Sequence, residues 1–334
     1  MLADKTECIS RSELEILQLE RLKKIVSWAY ERSAFYRRTF QNCGVTPDEI
    51  QTLADVRRLP FVTTEELHTV DALEFLTLPL SSIVRINRHN AGQLTNFYTK
   101  GDIRANVEMM IRALMAIDVL RGSSVGVQGD FADSRFLDVI YALESIGATV
   151  IPLGTNCRRW LDMTELFSFD TLISTPQLVM QLIIHLQAAG KEIRDCPITK
   201  ILCLNTTNIF NTLQRHISER TSAKVFSLFA PPEVGHAGIM YQCADAAGHH
   251  VQEDFFLIEL LRFGSDEPVT EPDHMGELVI TALTAQAFPL IRWRTGQAVR
   301  RMGETCTCGR EFFRVGTPYT RVEKNFLKFS LRRY

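Results

Sequence analysis

The fold class of this chain is decided by one stretch, residues 124–153, which reads SVGVQGDFADSRFLDVIYALESIGATVIPL. Its beginning, Ser124 to Gln128, is a short apolar run that predicts a buried strand. Ser134 to Ile146 carries apolar side chains at helical spacing, and Ala148 to Leu153 forms a second buried strand. A strand, a helix and a strand in this order predict two parallel neighbours of one sheet, joined by a covering helix.

The same alternation continues on both sides of this stretch. Upstream, Ser82 to Asn87 predicts a strand and Ile103 to Leu120 an amphipathic helix. Downstream, apolar runs alternate with helical patterns: strands at Thr171–Ser174, Ile201–Leu204 and Lys224–Leu228, and helices at Gln177–Ala189 and Asn211–Arg220. The predicted class is therefore α/β, with a largely parallel sheet that helices cover on both faces.

The two ends of the chain have other patterns. Residues 11–43 are apolar at nearly helical period, with Ser12 and Glu15 as a capping box, and a short helix is predicted from Thr63 or Thr64. Beyond Val234, apolar runs alternate with turns and predict a smaller β-subdomain: His249–Leu261, Gly276–Ala282 and Phe288–Trp293. The predicted organisation has four parts: a helical region over 1–80, an α/β core over 81–233, a β-rich subdomain over 234–316 and a terminal segment over 317–334.

Composition excludes several classes of protein. The 334 residues are 46% hydrophobic, and 37 basic residues face 39 acidic ones, which gives no electrostatic argument for binding nucleic acid or an anionic membrane. The apolar run from Thr171 to Gly190 contains proline, histidine and glutamines, so it predicts a buried helix rather than a membrane span. No signal peptide is recognisable, which predicts a cytoplasmic protein whose eight cysteines are mostly buried thiols.

One unusual run adds a family resemblance to this outline. Leu290-Ile291-Arg292-Trp293-Arg294-Thr295-Gly296-Gln297 is followed by Cys306-Thr307-Cys308-Gly309-Arg310. With Ser33-Ala34-Phe35-Tyr36-Arg37-Arg38 and Gly276-Glu277-Leu278-Val279, it resembles the phenylacetate–coenzyme A ligase branch of the adenylate-forming enzymes. The resemblance covers residues 12–323.

That resemblance implies a reaction and a fold. Such enzymes join a carboxylate to ATP, giving an acyl-adenylate and pyrophosphate, and the thiol of coenzyme A then attacks the activated carbonyl. The fold implied is a large N-terminal domain with parallel sheets covered by helices, plus a smaller β-subdomain. Because the sequence stops soon after Glu323, the mobile C-terminal cap domain of the family is expected to be absent or truncated, with 317–334 as a hinge remnant.

Two segments would surround the phosphates by this resemblance. The family's Ser/Gly/Thr-rich phosphate loop corresponds to Arg88–Thr99, which is shorter and keeps Gly92; the alternatives are a lost cradle, residues missing from the sequence, or an ordinary turn between strands. Phe229-Ala230-Pro231-Pro232-Glu233 matches the family's Tyr-Gly-Leu-Ser/Thr-Glu. Phe229 and Ala230 would line the nucleotide or acyl slot and Glu233 would bind Mg²⁺, whereas the alternative is a Pro-Pro turn with a solvated glutamate.

Further positions complete the implied nucleotide site. Asn205, Thr206 and Thr207 would lie beside adenine and the acyl group, or else cap a helix. Gln297 replaces the aspartate that binds the ribose hydroxyls, so this contact loses charge assistance. Arg294 would act near the phosphates or simply pair with an acid, and Arg321 matches the hinge arginine.

A metal site is implied by the cysteines near the end of the chain. Cys306 and Cys308 form a Cys-x-Cys pair, and Cys243 and His250 match places where some relatives have Cys and His. Three thiolates and one imidazole suit a structural Zn²⁺ site, for which His249 is an alternative ligand. The other interpretation is three buried thiols and two surface histidines.

Two functional hypotheses follow. The first is ATP-dependent activation of an aromatic carboxylic acid, with coenzyme A or another thiol as acceptor, in secondary metabolism such as phenazine biosynthesis. The second is a non-catalytic relative that binds a nucleotide, an aromatic ligand or a partner protein. It is motivated by the short phosphate loop, Gln297 and the missing cap. The N-terminal helical region is a candidate homodimer contact.

Overall fold

The computed structural model describes residues 4–89, 94–205, 210–229, 231–236, 238–245, 248–303 and 306–321. Nine α-helices lie within these ranges: α1 Arg11–Arg32, α2 Ala34–Cys43, α3 Thr64–Thr69, α4 Ala72–Phe75, α5 Lys100–Met115, α6 Ser134–Ile146, α7 Cys157–Leu166, α8 Pro176–Ala188 and α9 Phe210–Thr221. None of them combines the length and apolar character that crossing a membrane requires.

The strands of the described residues alternate with these helices in the middle of the chain and follow one another near its end. They are β1 Val62–Thr63, β2 Arg85–His89, β3 Leu94–Tyr98, β4 Ser124–Val127, β5 Thr149–Pro152, β6 Thr171–Ser174, β7 Lys200–Asn205, β8 Lys224–Phe229, β9 Met240–Tyr241, β10 His249–Val251, β11 Phe256–Leu261, β12 Met275–Ala282, β13 Trp293–Arg300, β14 Arg314–Val315 and β15 Tyr319–Arg321. The mixed α/β class predicted from the sequence is confirmed.

The central sheet has eight strands in the order β14-β10-β9-β8-β7-β6-β4-β5. The five strands from β8 to β5 are parallel, whereas β9, β10 and β14 are antiparallel to their neighbours. Since β8 and β9 pair directly, the predicted boundary between residues 233 and 234 lies inside this sheet. The segment 234–316 therefore contributes strands to the same layer as the α/β core.

A second sheet holds the order β1-β13-β12-β11, with β15 also paired to β13. The N-terminal helices pack against this sheet through one large apolar cluster, which contains Leu22 and Phe40 together with Ile280 and Trp293. β2 and β3 form a separate antiparallel pair. The N-terminal region is therefore integrated with the end of the chain rather than forming a separate layer.

The N-terminal helical region differs from the prediction in two details. Its cap is Ser10, whose side chain accepts from the backbone amide of Glu13, so the predicted capping box at Ser12 and Glu15 is wrong by two positions. The region also breaks into α1 and α2 at Ser33, which is buried and donates its hydroxyl to the Glu74 carbonyl at 2.8 Å. Where a helix breaks, the backbone groups at its ends lose their partners within the helix. A capping side chain next to the break can hydrogen-bond to them instead.

The predicted strand over Phe288–Trp293 is wrong, because β13 begins where that prediction ends. Pro289 has no backbone N–H for a ladder, and Arg292 has a left-handed φ of 49° that interrupts an extended chain. The Arg292 side chain is buried and binds Glu259 through both nitrogens, Nε and Nη2, at 2.9 and 2.8 Å. The apolar run by itself could not show that the chain turns at Arg292, because this turn is stabilised by a buried ion pair with a distant residue.

Candidate functional site

The carboxyl ends of β7 and β8 lie side by side, with Asn205 and Phe229 as Cα partners. In open parallel sheets, ligands bind in the crevice beyond this edge. Of the residues predicted to meet the nucleotide, Gly92, Thr206, Thr207 and Ala230 lie outside the described residues. The Phe229 ring is 2% exposed and belongs to the large apolar cluster of the second sheet.

Glu233 sits in a tight turn that follows β8. The amide of Val234 donates to the Pro231 carbonyl at 3.3 Å, and the amide of Gly235 donates to the Pro232 carbonyl at 3.1 Å. Glu233 is 1% exposed, so its carboxylate is buried and not solvated. Acidic side chains are seldom fully buried in proteins, which sets this glutamate apart from an ordinary turn residue.

Strand β3 holds this turn through two side chains. The amide Nδ2 of Asn96 donates to the carbonyls of Pro232 and Glu233, at 3.1 and 3.4 Å, and the hydroxyl of Tyr98 donates to the Gly235 carbonyl at 2.8 Å. Tyr98 also accepts a hydrogen bond from Ser134 at 3.1 Å, and burial raises its pKa. The backbone around Glu233 is thereby fixed to strand β3 of the β2–β3 hairpin.

Asn96 and Tyr98 lie within the segment Arg88–Thr99 that the resemblance assigned to the phosphate loop, but neither was predicted to have a role of its own. The feature that could have pointed to them is a polar residue in a buried strand. β3 is almost wholly inaccessible to solvent and yet contains an asparagine. A buried amide needs partners, but the partners of Asn96 lie well over a hundred residues further along the chain. Sequence spacing therefore could not identify them.

Arg294 is engaged by acidic side chains in the second sheet. Its Nη2 lies 2.5 Å from Oε2 of Glu277, and its Nη1 lies 3.7 Å from Oδ1 of Asp266. The hydrogen bond to Glu277 raises the pKa of the guanidinium, and Phe61 presents its ring face 4.8 Å away. The structural alternative considered from the sequence, pairing with a nearby acid, is thus the contact that this arginine makes.

Gln297 and Arg321 are neighbours, as Cα partners in the paired strands β13 and β15. Gln297 is 7% exposed, and its backbone amide donates to the hydroxyl of Thr295 at 3.0 Å. Two positions predicted separately for nucleotide binding are therefore brought to one place by the ladder of the second sheet.

The four predicted metal ligands form one cluster. The Sγ and Nε2/Nδ1 atoms offered by Cys243, His250, Cys306 and Cys308 all lie within 4.8 Å of one another. Sγ of Cys243 lies 3.6 Å from Sγ of Cys306, and Sγ of Cys308 lies 3.4 Å from Nε2 of His250. A tetrahedral zinc site with ordinary bond lengths places two sulfurs about 3.8 Å apart and a sulfur and a nitrogen about 3.5 Å apart. These two spacings are close to the values for such a site, so the donor set and its geometry suit a metal ion.

Strand geometry selects between the two neighbouring histidines. Successive side chains of β10 point to opposite faces, so His250 reaches the cysteines while Nε2 of His249 lies 2.6 Å from the hydroxyl of Ser227. Burial lowers the pKa of His249 to about 3, which keeps this ring neutral. The alternative ligand His249 is thus occupied elsewhere.

The chemistry of the cysteines agrees with metal ligation. Hydrogen bonding to Cys243 lowers the pKa of Cys308, and the same contact raises the pKa of Cys243, so one thiolate is already favoured in the cluster. Gly309 follows with φ of 81°, and its amide donates to the Cys306 carbonyl at 3.4 Å. This tight turn aims both cysteines of the Cys-x-Cys pair at the same point.

Comparisons with known proteins place this geometry in context, although no family model matches the chain. The phenylacetate-coenzyme A ligase of Thermus thermophilus is 28% identical over 316 residues, which are 93% of this chain and 71% of that protein. The phenylacetate-coenzyme A ligase of Escherichia coli is 28% identical over 319 residues, 93% of this chain and 72% of that protein. A crystal structure of an open 2-hydroxyisobutyryl-CoA ligase, with 2-HIB-AMP and CoA, superposes with a TM-score of 0.88 at 18% identity, covering 96% of this chain and 72% of that one.

The fold is thus that of the acyl-CoA ligases among the adenylate-forming enzymes. In sequence, the chain is similar to the phenylacetate–coenzyme A ligases, as the resemblance of its motifs implied.

Proposed function

We propose that this chain uses ATP and Mg²⁺ to activate a carboxylic acid, with an aromatic acid as the preferred substrate. A carboxylate oxygen bonds to the α-phosphorus of ATP, the bond from that phosphorus to the β-phosphate oxygen breaks, and pyrophosphate leaves. The product is an acyl-adenylate. Coenzyme A or another thiol is the acceptor, attacking the carbonyl carbon while AMP departs.

The observation that carries this proposal is the buried Glu233, held beyond the carboxyl edge of the parallel sheet. Asn96 fixes the carbonyls of Pro232 and Glu233, so the carboxylate has a defined position. A metal-binding carboxylate acts best when its backbone is rigid and water is excluded around it, since electrostatic interactions are then stronger. By resemblance, Glu233 binds the Mg²⁺ that bridges the phosphates of ATP.

An aromatic substrate is supported by the relatives. The similar proteins of Thermus thermophilus and Escherichia coli bear the name of phenylacetate, an acid that carries an aromatic ring. A role in secondary metabolism such as phenazine biosynthesis rests only on the family resemblance described above. It is a narrower form of the same proposal.

The experiment is acid-dependent exchange of labelled pyrophosphate into ATP, with a panel of aryl and alkyl acids. We expect exchange with at least one aryl carboxylate, and its loss without Mg²⁺. Exchange with alkyl acids alone would exclude the aromatic preference, whereas no exchange with any acid would exclude adenylation by this chain.

The second candidate is a relative that binds a nucleotide or a partner without catalysis. It is favoured by the contacts of Arg294, which is held by Glu277 and Asp266. Calorimetric titration with Mg-ATP separates the two candidates when pyrophosphate exchange is absent. Magnesium-dependent binding would identify a nucleotide-binding relative, and no binding would leave an aromatic ligand or a partner protein as the alternatives.

We further propose that the cluster of Cys243, His250, Cys306 and Cys308 binds Zn²⁺ in a structural role. Its support is the ligand set and the two spacings of 3.6 and 3.4 Å. Four protein ligands fill a tetrahedral site and leave no position for a reactive water. Metal analysis of the purified protein, with the Cys306→Ala variant as control, tests this assignment.

A further inference from the structure

The short helix at the N-terminal end of the described chain packs on the metal cluster. This segment, Lys5–Cys8, is a 3₁₀-helix whose Glu7 is fully buried, at 0% exposure. Nε of Arg310 and the hydroxyl of Tyr241 both donate to Oε1 of Glu7, each at 2.7 Å. The amide of Glu311 donates to the Glu7 carbonyl at 3.0 Å. Residues from opposite ends of the chain thus share one buried carboxylate.

Both partners of Glu7 contact ligands of the cluster. Arg310 follows Cys308 by two residues, and its backbone amide and guanidinium, after Cys243 and His250, lower the pKa of the Cys308 thiol. The ring of Tyr241 lies 5.7 Å from that of His250 at an interplanar angle of 32°, and the two residues are Cα partners in β9 and β10. Glu7 is therefore one side chain removed from two of the four ligands.

The charges explain why such an outer layer is needed. Three thiolates, a neutral imidazole and a divalent ion carry a net charge of −1, and Arg310, itself 4% exposed, supplies a buried positive charge next to Cys308. A buried guanidinium needs an acceptor that fixes its direction, and Glu7 provides one at Nε. Such outer partners of metal ligands orient the ligands and adjust their affinity for the metal.

We propose that Glu7 is a positioning residue of the metal site, and that the Lys5–Cys8 helix supports this site by holding Glu7 in place. The Glu7 carboxylate holds Arg310 against Cys308, so the cluster binds Zn²⁺ more tightly when this helix is docked. By thermodynamic linkage, bound Zn²⁺ in turn strengthens the docking of the helix. The inference rests on the proposed metal site and is independent of any adenylation activity.

The test compares Zn²⁺ affinity in the wild-type protein, Glu7→Gln and a matched control, Glu15→Gln. Glu15 is in the same part of the chain, but its side chain is 51% exposed and pairs with Arg11 at the surface of helix α1. Competition with a chromophoric chelator should show Zn²⁺ binding weakened about 10- to 100-fold in Glu7→Gln and unchanged in Glu15→Gln. Equal affinities in all three proteins would overturn the inference.

A second measurement needs no substitution, so it remains decisive if Glu7→Gln fails to fold. Hydrogen exchange of the wild-type protein is followed before and after Zn²⁺ removal with a chelator. Backbone amides of residues 5–8 should exchange faster after removal, whereas those of the distant helix α8 should change little. Unchanged protection at residues 5–8 contradicts the coupling. If the wild type binds no Zn²⁺ at all, the metal site itself is excluded, an outcome distinct from equal binding by all variants.

Discussion

Sγ of Cys308 lies 3.4 Å from Nε2 of His250, although 58 residues separate them in the chain. The antiparallel pairing of β10 with β9 and β14 brings the two together, since one ligand lies in a strand of the central sheet and the other in the turn before β14. The cluster thus joins residues in or just after β9 and β10 to the segment between β13 and β14.

Removal of the proposed Zn²⁺ should destabilise the protein. We expect Tm to fall by roughly 5 °C or more on chelation, because a metal present at a thousandfold its Kd contributes about 4 kcal/mol to the folded state. Differential scanning fluorimetry with and without chelator measures this shift. Cys43→Ser is the control, since Cys43 is exposed and outside the cluster; it should keep the full shift, whereas Cys308→Ser should lose it.

Loss of the Glu233 charge should stop adenylation and leave the fold intact. We expect Glu233→Gln to lower acid-dependent pyrophosphate exchange by roughly 100-fold or more, because a neutral amide is a poor ligand for Mg²⁺. The control is Glu219→Gln, whose side chain is 63% exposed in helix α9. Exchange that survives in Glu233→Gln at the wild-type rate would remove this residue from the proposed site.

The turn around Glu233 should tolerate no side chain at Gly235. A Cβ there would lie 2.2 Å from Nδ2 of Asn96 and 2.6 Å from the hydroxyl of Tyr98, and both atoms are held by hydrogen bonds. Gly238 also has positive φ, but its Cβ would meet nothing closer than 3.8 Å. We expect Gly238→Ala to cost about 1 kcal/mol through backbone strain, and Gly235→Ala at least about twice that. Urea unfolding measures both; equal losses would mean that Asn96 and Tyr98 can move aside.

The two arginines of the Arg-Trp-Arg run should respond differently to lysine. Arg292 is buried, binds Glu259 through two nitrogens and donates to the carbonyls of Arg57 and Leu59. Lysine cannot reproduce this fork, so we expect Arg292→Lys to lower the free energy of unfolding by roughly 2–4 kcal/mol.

Arg294 is partly exposed, and its ion pairs are screened by solvent, so we expect Arg294→Lys to cost less than about 1 kcal/mol. Pyrophosphate exchange by the Arg294→Lys variant then tests whether Arg294 acts on the nucleotide. A loss of tenfold or more at nearly unchanged stability would support action on the nucleotide, whereas wild-type exchange would make Arg294 structural.

Buried His236 should make the protein sensitive to acid. Burial lowers its pKa to about 4, and the rings of Tyr98 and Phe256 pack beside it. Because the unfolded state binds a proton near pH 6.5 and the folded state does not, stability should fall as the pH drops from 6.5 towards 4. The slope from one such group is at most about 1.4 kcal/mol per pH unit.

Unfolding by urea at several pH values measures this slope, and the His236→Gln variant should show a smaller one. If the free energy of unfolding changed with pH at the same slope in the wild type and in His236→Gln, His236 would have to remain protonated in the folded protein or have a charged partner there.

The sequence by itself determined the elements and the class of this fold. Helix α6 begins and ends at the predicted residues Ser134 and Ile146, and the parallel strands β4, β5 and β6 lie where apolar runs predicted them. These features depend on hydrophobic periodicity and local capping, which are properties of neighbouring residues. The family resemblance added the ligand set of the metal cluster, which the structure brings together.

Only the tertiary structure decided which distant residues meet. The buried corner at Arg292, the clamp of Asn96 on the Glu233 turn, and the contact between Glu7 and Arg310 each join segments far apart in the chain. The hydrogen-bond partner of a buried polar side chain cannot be read from neighbouring residues in the sequence. The order of the strands in the sheets determines which distant groups come near, and a buried charge or amide then needs one of them as its partner. For this protein, the sequence and the family resemblance pointed to Glu233 and to the four residues of the Cys/His cluster. The contacts that fix the Glu233 turn and that surround this cluster were decided by the tertiary fold.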